Sequence, residues 1–206
     1  VIPFRHNNQV KALKILAGVI LISAVIFLTT GLNFLTDEQK SRLNYKAPCS
    51  RYTQKTGYQV CNGFIAIIGG GLFGKGIGNS TQKYLYLPEA HTDFIFAIAV
   101  EELGVIVGII LILGYMFMLY RILLIAKKAT NLRNSVICYG VFSYILIHIL
   151  INLCGIFAII PLTGVPLPLL SYGGSSTICV LLSLFLVQRC AIETNKEKEL
   201  LEIKSI

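Results

Sequence analysis

Four apolar stretches, at about 12–31, 94–126, 136–160 and 174–191, leave this 206-residue chain little choice of fold. Crossing a hydrocarbon core of ~30 Å takes roughly 20 apolar residues as a helix, and backbone inside lipid must satisfy its own hydrogen bonds. The first three stretches reach that length outright. The fourth is apolar over 175–187 and reaches it when extended through Gly173 and Ala191. Charged residues make up only 14% of the chain, and the mean hydropathy is +0.73, too apolar for a water-soluble domain.

The connections between these stretches set their direction. The one at 121–133 carries Arg121, Lys127, Lys128 and Arg133 with no acid, and the one at 161–172 carries no charge. Short basic loops stay in the cytoplasm, so 121–135 is expected inside and 161–172 outside. Four crossings then put both ends of the chain inside and the long segment 32–93 outside. Within that segment, 60–73 is apolar but short and runs into Gly69-Gly70-Gly71, which suits an interfacial or re-entrant helix better than a span. The expected fold class is therefore all-α: a polytopic transmembrane helical bundle with a long extracytoplasmic loop containing short re-entrant or interfacial helices. The chain has no cleavable signal-peptide pattern, and it reads as a piece of something larger. Its six cysteines show no metal-ligand spacing. Cys49 and Cys61 share the external segment, where a disulfide is chemically permitted but not required.

Chemistry concentrates where the external segment meets the second apolar stretch. Residues 87–96 place Glu89, His91 and Asp93 within five positions. A carboxylate at a membrane surface is costly unless it binds or catalyses something. Asp93 is thus a candidate general base, though its place before an apolar helix also suits an N-cap, and the two roles are compatible. His91 assists that base, orients a ligand or is an ordinary interfacial histidine; Glu89 suits positioning. Lys83 and Lys75 are candidate phosphate contacts, with Lys75 equally suited to anionic headgroups. Glu101 and Glu102 fall ~11–12 Å into a helix starting at Phe94. At least one should face a polar cavity, unless a helix of about 50 Å over 94–126 protrudes from the bilayer.

Two further segments invite comparison. The glycine-dense run 69–80 has no strand before it and no phosphate-loop Lys-Ser/Thr after it, so it is no nucleotide fingerprint. Its glycines suit sharp turns and close approach to a ligand or a neighbouring helix. Ser171, Gly173, Gly174 and Ser175 open the last stretch, where unpaired N–H groups form a ready anion or sugar site; tight packing by small residues is the plainer alternative. Pro161, Pro166 and Pro168 stiffen the loop before it. Asn152 is expected to make an interhelical hydrogen bond.

GIGNSTQKYLYLPEAHTDFIFAIAVEELG at 76–104 and PLTGVPLPLLSYGGSS at 161–176 closely resemble the SEDS family of polytopic membrane proteins, which includes FtsW, RodA and SpoVE. The resemblance covers essentially the whole chain, 1–206, as the C-terminal portion of a SEDS-type membrane domain. The family fold normally has ten transmembrane helices, and the first six have no counterpart here. Ala90 and the 78–83 run look more like the division member FtsW than the elongation member RodA. The segment before Gly57 departs from the family pattern: it has a single proline, Pro48, and Tyr45 where a tryptophan is common.

The resemblance implies a peptidoglycan glycosyltransferase that polymerises lipid II at the outer face of the bacterial cytoplasmic membrane. The reaction moves a growing glycan from undecaprenyl pyrophosphate to the 4-hydroxyl of the incoming sugar. Asp93 matches the family's essential aspartate. Lys83, Glu89, His91, Ser171, Gly173, Gly174 and Ser175 are the expected substrate contacts. A divalent cation, Mg or Mn, is compatible with the pyrophosphate, with its ligands unassigned. The implied partners are lipid II, the nascent glycan strand, a class B penicillin-binding protein and other division or elongation membrane proteins, but no nucleic acid. A lipid II transporter and a non-catalytic division scaffold remain alternative readings of the same features.

Overall fold

The architecture comes from a computed structural model, which describes residues 22, 45–53, 55–87 and 90–204. The chain divides into two compact units, Val1–Leu43 and Asn44–Ile206, and the architecture described belongs to the second. The span expected at 12–31 lies, apart from Ile22, outside the described residues, as do Pro88 and Glu89.

The described residues form helices and connections without a strand. A 3-10 turn at Pro48–Arg51 leads to α1 (Lys55–Gly70), and a disulfide between Cys49 and Cys61 staples the two. After the glycine-rich loop come α2 (Thr81–Leu85), α3 (Ile95–Leu103), α4 (Val105–Lys128), α5 (Leu132–Ile156) and α6 (Gly174–Lys204). By length and composition, α4, α5 and the Gly174–Leu200 part of α6 can each cross a membrane. The 24 residues of α4 extend about 36 Å, enough for a hydrocarbon core of ~30 Å.

The disulfide has a direct chemical readout. Protein purified without reductant and then denatured should take up maleimide at Cys138, Cys154, Cys179 and Cys190 alone. Reduction beforehand should raise the count to all six cysteines. Six labels without reductant would show that the staple does not form.

One expectation needs correcting. The apolar run 94–126 is not a single protruding helix. It breaks at Gly104, whose φ of 90° is barred to most L residues and where a Cβ would meet the Leu72 carbonyl oxygen at 2.2 Å. The break is held by main-chain bonds from the glycine-rich loop. Lys75 N–H donates to the Glu101 carbonyl at 2.9 Å, Gly76 N–H to that of Glu102 at 2.9 Å, and Val105 N–H to that of Gly71 at 3.0 Å. The glycines of 69–78 therefore serve close backbone approach, here to the end of α3. The last helix also runs further than the expected 174–191, continuing to Lys204.

Candidate active site

The turn before α3 is clamped at three successive carbonyls. Tyr172 N–H donates to the carbonyl of His91 at 2.9 Å, the Ser171 hydroxyl to that of Thr92 at 2.6 Å, and the Asn152 amide to that of Asp93 at 2.9 Å. The same Asn152 nitrogen donates to the Val165 carbonyl at 2.8 Å, and Ser171 Oγ accepts from Leu167 N–H at 2.7 Å. Phe94, the N-cap of α3, is buried with its ring against Gly63 of α1. The turn carrying Asp93 and the loop 161–172 are thereby fastened together, although about 70 residues of sequence separate them.

The Asp93 side chain is half-buried and faces Gly164. That glycine has φ 73°, and a Cβ there would stand 3.2 Å from Asp93 Oδ2. Any larger residue would strain the loop and crowd the carboxylate. Beside the turn lies a cavity of about 890 Å³. Its walls are His91 and Ile95 from the turn and α3, Leu169 to Gly174 from the loop, and Thr177 and Ile178 from α6. One side is apolar; the other holds the exposed N-terminus of α6, where main-chain N–H groups lack helical partners. Leu169, on the rim, has φ 63°, a conformation costing an L residue roughly 1–2 kcal/mol. The Ser171 N–H to Leu167 carbonyl bond at 3.0 Å closes that turn around it.

Of the expected contacts, His91, Ser171, Gly173 and Gly174 line the cavity. Asp93 adjoins this wall through His91 but is not itself part of it. Ser175 is exposed on the first turn of α6, and Glu89 lies outside the described residues. Four expected roles change. The Ser171 hydroxyl is occupied by Thr92 and Leu167, so it fastens the loop. Asn152 ties a turn to a loop, because both carbonyls it meets lie outside the spans. Lys75 turns inward, its Nζ 2.7 Å from Glu101 Oε1 and 3.2 Å from Thr81 Oγ1. Lys83 Nζ lies 3.5 Å from Glu102 Oε1 and away from the cavity wall.

Glu101 is fully buried and does not line that cavity. Its carboxylate accepts hydrogen bonds from Lys75, Ser80 and Thr81. Burial alone would push its pKa up, but those three donors and the lysine charge outweigh it and hold the carboxyl below its ordinary value of 4.5. Ser80 also caps α2 by accepting from Lys83 N–H at 3.0 Å, so the network fixes the segment leading to Asp93. Among the described residues, no three His, Cys, Asp or Glu side chains are grouped to hold a metal ion.

The Asn152 bridge predicts a measurable loss. Asn152→Leu keeps the bulk within α5 but takes the amide donor away from the half-buried Asp93 and Val165 carbonyls, at about 0.5–1.5 kcal/mol for each lost bond. The Tm of the protein in detergent should fall; an unchanged Tm would remove the bridge from the list of supports.

Residues 2–196 match the profile of a family described as cell cycle protein, comprising FtsW, RodA and SpoVE. The chain is similar to the probable peptidoglycan glycosyltransferase FtsW of Bacillus subtilis strain 168, with 39% identity over 203 residues, 94% of this chain and 50% of that protein. It is also similar to stage V sporulation protein E of the same organism, with 45% identity over 128 residues, 62% of this chain and 35% of that protein. A solved chain, from work described as structural coordination of polymerization and crosslinking by a peptidoglycan synthase complex, superposes with a TM-score of 0.62 at 26% identity. That match covers 93% of this chain and 50% of that one. The chain thus spans about half the length of that Bacillus subtilis FtsW.

Proposed function

This chain belongs to the FtsW, RodA and SpoVE family of membrane proteins, and from that premise we propose that it supplies the catalytic half of a peptidoglycan glycosyltransferase. It polymerises lipid II at the outer face of the bacterial cytoplasmic membrane. The observation that carries this reading is the clamping of the Asp93 turn to the loop 161–172, beside an 890 Å³ cavity that ends at a helix N-terminus.

In the proposed reaction, Asp93 accepts the proton of the incoming sugar's 4-hydroxyl as that oxygen attacks the anomeric carbon of the growing glycan. The bond from that carbon to the pyrophosphate oxygen breaks with inversion, converting an α linkage to β-1,4, and the pyrophosphate leaves with the electron pair. The open N–H groups around Gly173 and Gly174 meet the developing negative charge. His91, exposed on the cavity wall, orients the sugar. The apolar side at Ile95, Leu169, Leu170 and Ile178 takes the start of the lipid chain. The partner is a class B penicillin-binding protein, supported by the similar chain's origin in a complex that couples polymerisation to crosslinking.

The test is reconstitution of the purified protein, with whatever polypeptide it assembles with, in vesicles carrying fluorescent lipid II. Glycan polymer on a gel supports the assignment. Lipid II that crosses the bilayer without polymerising would replace it with a transporter, and neither outcome would leave a scaffold.

A further inference from the structure

The loop 71–78 and the end of α1 carry an apolar surface that the site does not use. Ile68 is 80% exposed, Leu72 63%, Phe73 83% and Ile77 82%. Ile65, also exposed, precedes Ile68 by three positions on α1, so the stripe continues along the helix onto the loop. A cluster of large apolar side chains standing free in water marks a contact surface.

Three observations identify what it contacts. First, the loop is bonded at main-chain level to the start of a membrane span: Val105, the first residue of α4, donates to the Gly71 carbonyl at 3.0 Å. The tip therefore sits at the depth where α4 enters the bilayer. Second, part of the loop's backbone is satisfied from within the protein. Gly74 N–H donates to the Gly70 carbonyl at 2.8 Å, and Lys75 and Gly76 donate to Glu101 and Glu102 at 2.9 Å. Internal pairing of this kind is what lets non-helical backbone approach hydrocarbon. Third, Lys75 is the sole charge between Lys55 and Lys83, and its ammonium is turned inward onto Glu101 and Thr81.

We infer that Leu72, Phe73 and Ile77, with Ile68, insert into the lipid leaflet in which α4 begins, anchoring the loop at the boundary of headgroups and acyl chains. An apolar face of this type typically sinks about 5–10 Å. The anchor fixes the height above the bilayer of the network that runs from Lys75 through Ser80 to α2. The inference rests on the span of α4 and holds whichever reaction the cavity serves.

The chain contains no tryptophan, so Phe73→Trp introduces a lone fluorescent reporter at the tip. Ile77→Trp, at an equally exposed position, is a second reporter should the first fold poorly. In vesicles of phosphatidylcholine and phosphatidylglycerol, the expected result is blue-shifted emission, strong quenching by lipids brominated near the top of the acyl chain and little quenching by aqueous iodide. Red emission with strong iodide quenching would overturn the inference by placing the tip in water. Blue emission untouched by brominated lipid would overturn it by placing the tip against protein.

Discussion

Asp93→Asn should lower glycan polymerisation by about 10²–10⁴-fold, the usual contribution of a positioned general base. The substitution preserves shape, and the three clamped carbonyls at His91, Thr92 and Asp93 belong to the main chain, so the turn should survive it. Activity and integrity can therefore be separated. Polymer yield from fluorescent lipid II reads the first, and Tm in detergent reads the second. Undiminished polymer with the Asn variant would remove Asp93 from the chemistry, whatever the reaction proved to be. A fall in both together would assign the carboxylate to structure.

The largest stability effect is expected at Glu101. Glu101→Ala removes the acceptor for Lys75, Ser80 and Thr81 together. Breaking one side of a buried ion pair typically costs 3–5 kcal/mol, and the one-third exposure of the Lys75 side chain puts this case near the lower end, about 3 kcal/mol. Limited proteolysis should then cut within 71–87 while α4 and α5 stay intact; an unaltered digestion pattern would refute the network's role. The pH dependence follows from the lowered pKa. A carboxyl with a folded pKa below its unfolded value contributes fully above about 4.5 and loses that contribution as pH falls through the folded pKa. The loop should accordingly hold across neutral pH and loosen only in acid below 4.5.

The length of their apolar runs made α4, α5 and α6 legible, because a helix that must lie in lipid is apolar over most of its circumference. The break at Gly104 was not legible. A single glycine inside an apolar run is compatible with an unbroken helix, and the reason for this break lies about 30 residues upstream, in loop backbone that bonds to it. The Lys75–Glu101 pair is hidden for the same reason: 26 positions separate a lysine read as a phosphate or headgroup contact from a glutamate read as facing a polar cavity or protruding. Asn152 was visible as a polar residue in a span, yet its partners are main-chain carbonyls, which no side-chain pattern reveals. Gly164 gave no signal at all, since its role depends on the distance to Asp93. The cavity's polar end, by contrast, was readable from Gly173 and Gly174, because a helix start exposes N–H groups wherever it occurs.

The unbroken course of α6 carries a mechanical consequence. At 31 residues it is a rod of about 46 Å, longer than the hydrocarbon layer is thick. One end forms the lip of the cavity at Gly174. About 28 Å along it, a little past the middle, Glu193 is held by Arg133 and Asn134 of α5 and by Arg189 of its own helix. A stiff rod held at that polar knot carries its lip with it, so a tilt about the knot and the width of the aperture change together.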